Sequence, residues 1–178
     1  GPHAAGDLAR DRRSSGGGTV LLGPGCLCYS LVLDMNRAPE LTQINPSYRW
    51  ILGRVAAALA EIQTGIEPMG ISDLAIGGRK FSGNSQQRKR QFLLHHGTLL
   101  HDFDLDVVGR YLKLPRRRPE YRAERSHRDF LVNLPDRPDE IRRSLRQAWQ
   151  ADEALRDWPT DRVQRLVAGK YSSREFIR

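Results

Sequence analysis

The chain is expected to fold as α+β, with a mixed, mainly antiparallel sheet flanked by helices, and three observations lead there. Short apolar segments recur between glycine-rich turns, as strands joined by hairpins do. Helical segments fall around Trp50 and then from Asp104 onward, after the strands, so strand and helix do not alternate as in a βαβ fold. At 178 residues the chain can bury a core, since a domain near this size hides roughly 70% of the surface its unfolded chain exposes.

Residues 1–11 are small or polar and begin Gly-Pro-His; they read as a disordered leader or a remnant of tag removal, with one domain over 12–178. Residues 19–22, Thr-Val-Leu-Leu, and the run from Cys26 to Met35 read as two β segments joined across Gly23-Pro24-Gly25. Ser47 is placed as the cap of a helix of about 17 residues, carried by Trp50, Ile51, Val55, Ala58, Leu59 and Ile62 and stopped by Gly65. Further strands are expected at 73–76, 80–82 and 92–103, with Gly77-Gly78 as the first turn and polar 84–90 as a longer loop. A short helix from Asp104 to Leu114 comes next, and 114–128, rich in proline and arginine, reads as loop. Pro138 opens a helix through 141–149, and Thr160 caps one over 161–168.

Lysine plus arginine number 29 against 21 for aspartate plus glutamate, a formal charge of +8 that suits an anionic partner. A nucleotide, an acidic protein surface or nucleic acid would each qualify on charge alone. No apolar run approaches the roughly 20 residues of a membrane helix and no apolar signal core opens the chain, so a cytoplasmic protein without membrane attachment is expected. Cys26 and Cys28 are expected as free thiols facing opposite sides of one strand, and neither has the cationic neighbour that makes a thiolate reactive.

Ser15-Gly16-Gly17-Gly18 offers a backbone that a ligand can approach closely, and consecutive amides there can form an anion nest beside the guanidinium groups of Arg12 and Arg13. The same four residues also read as a flexible linker. Lys80 follows the Gly77-Gly78 turn and precedes Phe81-Ser82-Gly83. Held on a strand it could stabilise developing charge on an acyl phosphate, and otherwise it is a solvated surface lysine. In the apolar strand around His95-His96-Gly97-Thr98, alternation turns one histidine inward and the other outward. That opposes a two-histidine metal site, and no metal ligand set is expected elsewhere.

Taken together, Arg12-Arg13-Ser14-Ser15-Gly16-Gly17-Gly18-Thr19-Val20, the Lys80-Phe81-Ser82-Gly83 core, the His96-Gly97-Thr98-Leu99-Leu100 stretch and the closing Lys170-Tyr171-Ser172-Ser173 resemble the lipoate-protein ligase family of the biotin and lipoate ligase superfamily. The resemblance implies a biotin/lipoate ligase-like catalytic domain, with the segments that precede the Arg-Arg motif in the family lying outside this chain. It implies activation of lipoate by ATP, with Mg2+, to lipoyl-adenylate, and transfer of the lipoyl group to a lysine of a lipoyl domain or a glycine-cleavage H-like protein. Lys80 would stabilise charge on the acyl-adenylate, and Arg13, Ser15, Gly16, Gly17, Gly18, Thr19, Val20, Asp73, Ser82, Gly83, His96, Gly97 and Thr98 would line its pocket. Related octanoyl and lipoyl transferases carry a cysteine shortly before the equivalent lysine; residues 67–73 contain none, which disfavours transfer through that thiol. Two alternatives remain, an octanoyl or lipoyl transferase that takes the acyl group from a preformed donor with Cys26 or Cys28 as nucleophile, and a non-catalytic chain of a split ligase completed by a second chain at an open sheet edge; nucleic-acid binding is disfavoured.

Overall fold

The structure, a computed structural model, describes residues 11–115, 118–173 and 176, so of the leader expected over 1–11 only Asp11 is described. The chain divides into two compact units, Ser15–Asp152 and a smaller one of Gly1–Ser14 with Glu153–Arg178.

The larger unit is built on a five-stranded sheet of β1 (Cys26–Asp34), β2 (Ile66–Met69), β3 (Asp73–Ile76), β4 (Arg79–Lys89) and β5 (Phe92–Leu100). Every pairing is antiparallel, in the order β1-β5-β4-β3-β2. This is the mainly antiparallel sheet that the sequence predicts. β3 has the predicted bounds, and Gly77 and Gly78 turn it into β4 with φ of 54° and 70°, a pair of positive angles that tight hairpins need and glycine adopts without steric cost.

Helix α1 (Ile44–Leu59) crosses one face of the sheet and turns Tyr48, Ile51, Leu52, Val55 and Leu59 into it, the spacing of one helical stripe. Helix α4 (Pro138–Ala148) lies against α1 and adds Ile141 and Leu145 to the same core as Leu74, Phe81 and Leu99. Each such side chain, fully buried, contributes about 1.5–3 kcal/mol. Arg54 ties the two helices: its guanidinium stacks 5.0 Å from the Trp149 ring and 5.8 Å from Trp50, while its Nε donates to the Ala148 carbonyl at 2.6 Å. Two short helices, α2 (Asp106–Tyr111) and α3 (His127–Phe130), close the far end around Leu100, Phe103 and Val108. The smaller unit holds α5 (Thr160–Leu166) and a π turn, Val167–Tyr171.

Three local expectations are corrected, and β2 is a strand that the sequence did not predict. Residues 19–22 join no ladder, and Val20 and Leu22 are exposed; only Leu21 packs, against the Leu100 cluster. Helix α1 begins three residues before Ser47, whose hydroxyl donates to the Ile44 carbonyl from inside the first turn instead of capping it. Residues 84–89 are not loop but the far half of β4, paired residue by residue with β5. The short β2, with exposed Glu67 and Pro68, gave no alternation to recognise.

Candidate active site

Strand alternation sorts the chemistry of β1, β3, β4 and β5 onto two faces. Leu27, Tyr29, Leu93, His95, Gly97 and Leu99 point towards α1 and α4, while the register sets Cys28, Thr98, Gly83 and Asp73 side by side on the other, more open face, with Ser30, His96 and Ser85 as the next row.

Lys80 reaches this open face through an irregularity. The β3–β4 register shifts at Leu74/Ala75, so that Ala75 pairs with Lys80 and Leu74 with Ser82, and Phe81, the extra residue, drops into the core. The Lys80 backbone is pinned from the other side as well, its carbonyl accepting from the Val132 amide at 3.0 Å. Its ammonium then lies 2.7 Å from Asp73 Oδ1, with the lysine side chain 28% exposed and the carboxylate nearly covered. Gly83 makes the room: a Cβ there would stand 2.8 Å from Lys80 Nζ. The second carboxylate oxygen, Oδ2, accepts from the Tyr121 hydroxyl at 2.8 Å. Burial first, and the Asp73 charge second, push the Tyr121 hydroxyl pKa up, so it stays protonated and donates. Asp73 is thus the lysine's partner, both of its oxygens engaged.

The small-residue segment arrives over the neighbouring row. Ser15 Oγ and His96 Nε2 share a hydrogen bond of 2.5 Å, and Ser85 Oγ donates to the Gly16 carbonyl at 2.8 Å. A Cβ on Gly16 or Gly18 would meet nothing within 4 Å, so packing within the chain does not demand glycine at either position. Thr19 and Val20 continue along an exposed path. The structure therefore brings together Ser15, Gly16, Asp73, Lys80, Gly83, His96 and Thr98. Arg13 belongs to the smaller unit.

Ser82 and Gly97, assigned to the pocket on sequence grounds, are turned to the helix-covered face. Ser82 is 1% exposed, and its hydroxyl accepts from Asn84 Nδ2 at 3.0 Å. Gly97 leaves space for that same amide, since a Cβ would stand 1.8 Å from Asn84 Oδ1. A chain of hydrogen bonds runs on from there: the Tyr29 hydroxyl donates to Asn84 Oδ1 at 2.6 Å, its oxygen meets His95 Nε2 at 3.2 Å, and Gln86 Nε2 meets His95 Nδ1 at 3.2 Å. His95 is the satisfied inward histidine, its pKa pushed down to about 3 by burial and by the neighbouring His96 charge.

The cysteines do not face apart. Residues two apart on a strand share a face, and burial, reinforced by Cys28, pushes the Cys26 thiol up to about 12. Both are free, and Cys26 is a poor nucleophile.

Tyr121 and Ser85 escaped sequence reasoning. Tyr121 sits beside Pro119 in the arginine-rich stretch read as loop, and no periodicity or spacing there signals a side chain aimed at Asp73.

Residues 8–150 match the family model described as the lipoyl protein ligase A/B catalytic domain. The chain is 29% identical over 125 residues to the probable lipoate-protein ligase A of Mycoplasma pneumoniae, an alignment that takes in 70% of this chain and 36% of that protein. It therefore spans a little over a third of the length of the curated relatives it matches. Its fold is shared, at a TM-score of 0.74 and 22% identity, with a structure of a bi-partite lipoate protein ligase and its E2 lipoyl domain from Thermoplasma acidophilum, covering 94% of this chain and 69% of that one. A lipoate-protein ligase A bound with ATP gives the same TM-score of 0.74 at 22% identity, over 96% of this chain and 72% of the other.

Proposed function

This chain belongs to the lipoyl protein ligase A/B catalytic-domain family, and on that premise we propose that it activates lipoate with ATP and passes the lipoyl group to a lysine of an acceptor protein. The observation that carries the proposal is the Lys80 ammonium, fixed 2.7 Å from Asp73 yet still part-exposed on the open face of the sheet. In the first step a lipoate carboxylate oxygen attacks the α-phosphorus of ATP and pyrophosphate leaves. Negative charge gathers on the carboxylate and phosphate oxygens, and a lysine already oriented stabilises it without reorganising at the moment of reaction. In the second step the acceptor amine attacks the acyl carbon, the bond to the AMP oxygen breaks, and an amide forms. No enzyme thiol is required, consistent with the high pKa of Cys26.

Ser15, His96 and Thr98 form the wall of the pocket in this reading, and the amides of Gly16, Gly17 and Gly18 supply donors to phosphate or carboxylate. The exposed Thr19 and Val20 are proposed to complete it. Magnesium is proposed to enter as the ion carried by the nucleotide, since the Asp73 carboxylate beside Lys80 already serves two donors.

The acceptor is proposed to be a lipoyl domain or an H-like protein, whose acidic surface would complement the chain's +8 charge. The bi-partite relative supports a second chain as a further partner, with the edge strand β1 as its docking position. Among the described residues no helix is long and apolar enough to cross a membrane, and the cytoplasm is the compartment proposed.

The test is mass spectrometry of ATP, lipoate and a lipoyl domain incubated with the wild-type chain or Lys80→Ala. Lipoyl-adenylate and a lipoylated acceptor are expected from the first and neither from the second. Equal yields from both would remove Lys80 from the mechanism, and no adenylate from wild type would remove the activity.

A further inference from the structure

We propose that Tyr121 is a positioning residue for Lys80, acting through Asp73; the inference rests on the reading of Lys80 as the group that stabilises charge on the adenylate. A lysine is a compact charge on a flexible four-carbon stem, so a single contact leaves its ammonium free to sweep a wide arc. A carboxylate held at one oxygen also turns about its own bond. Here both freedoms are removed together: Tyr121 fixes Oδ2 of Asp73, and the remaining oxygen, Oδ1, faces Lys80 Nζ at 2.7 Å.

The tyrosine is itself immobilised. Its ring lies 5.2 Å from that of Phe130, and a Cβ on Gly70 would stand 3.5 Å from its Cε1. Its carbonyl accepts from Arg125 Nη2 at 2.6 Å, and the same nitrogen donates to the Gly78 carbonyl at 2.9 Å, at the turn that leads into β4. The segment around Tyr121 is thereby braced on the strand that bears the lysine. The high hydroxyl pKa keeps the donor in place throughout the range in which ATP and carboxylic acids are ionised. A purely structural tyrosine would need only the ring contact with Phe130; the hydroxyl aimed at Asp73, 48 residues away in sequence, is what positioning adds.

Tyr121→Phe keeps the ring and deletes the hydroxyl. Loss of a hydrogen bond to a charged group is expected to lower kcat for adenylate formation about tenfold, with KM for lipoate little changed. In an Asp73→Asn background the same change is expected to have no further effect, because the group through which Tyr121 acts is altered. A second readout needs no turnover: on brief treatment with an acylating reagent, Lys80 modification relative to exposed Lys89 is expected to rise about threefold in Tyr121→Phe as the ion pair loosens. An unchanged labelling ratio, or a kcat loss of equal size in the Asp73→Asn background, overturns the positioning role. Wild-type chain that forms no adenylate overturns the proposed activity instead, and the labelling ratio still decides whether Tyr121 positions Lys80.

Discussion

His95 and His96 are neighbours in sequence and belong to different environments. His95 faces α1, is fully buried and has both ring nitrogens engaged by Tyr29 and Gln86. His96 faces the other side of the same strand, part-exposed, and meets Ser15. The contrast extends to the two faces they represent. On the helix-covered face, the polar side chains of β4 and β5 find partners within the protein, as Asn84 does in Ser72, Ser82 and Tyr29, which is what burial requires. On the open face, Val32 is 71% exposed, Cys28 and Ser30 face solvent, and the Lys80 ammonium keeps an open side. One strand thus serves two purposes because its side chains alternate: stability is concentrated on one face, and the proposed chemistry falls on the other.

That division is sharpest if substitutions on the open face change chemistry and those on the covered face change stability. The largest effect is expected from Lys80→Gln, which keeps a donor for Asp73 but removes the charge: single-turnover adenylate formation should fall about 10²–10³-fold, with less than about 1 kcal/mol lost in urea unfolding. A stability loss as large as that of a core substitution would break the comparison. Next comes Gly97→Ala, whose Cβ would overlap Asn84; calorimetry should register a cost of about 2–3 kcal/mol.

His95→Leu follows, at about 2 kcal/mol for leaving Tyr29 and Gln86 without their partner. It also changes the pH dependence. The folded imidazole titrates near 3, whereas in the unfolded chain it takes its proton near its ordinary value of 6.5. Its contribution is therefore present in full above pH 6.5 and is lost as the pH falls towards 3. Urea midpoints measured from pH 7 to 4 should drop more steeply for wild type than for His95→Leu; parallel curves would show that His95 is not the titrating group. The smallest stability effect belongs to His96→Ala, below about 1 kcal/mol, since the bond to Ser15 is part-exposed.

What was legible in the chain was local. The α1 stripe of Ile51, Val55 and Leu59 needs only a helical period, and the Gly77-Gly78 turn needs only two residues that accept positive φ. The inward and outward histidines followed from alternation alone. The far half of β4 failed for a physical reason: Asn84, Gln86 and Arg88 look like loop because they are polar, and their partners Ser72, His95 and the Leu41 carbonyl come from elsewhere in the chain. The misplaced Ser82 and Gly97 have the same origin. The bulge at Leu74/Ala75, which no sequence period announces, sets which neighbours of Lys80 share its face.

By itself, then, the sequence determined the fold class, the family motifs and Lys80 as the residue on which activity is proposed to turn, because each depends on a short run of residues. The tertiary structure decided how that lysine is aimed. Asp73 as its anchor, Tyr121 behind Asp73, and Ser15 across from His96, 81 positions apart, arise only when the sheet is assembled. Contacts between such distant residues follow from register and packing, which no local pattern encodes.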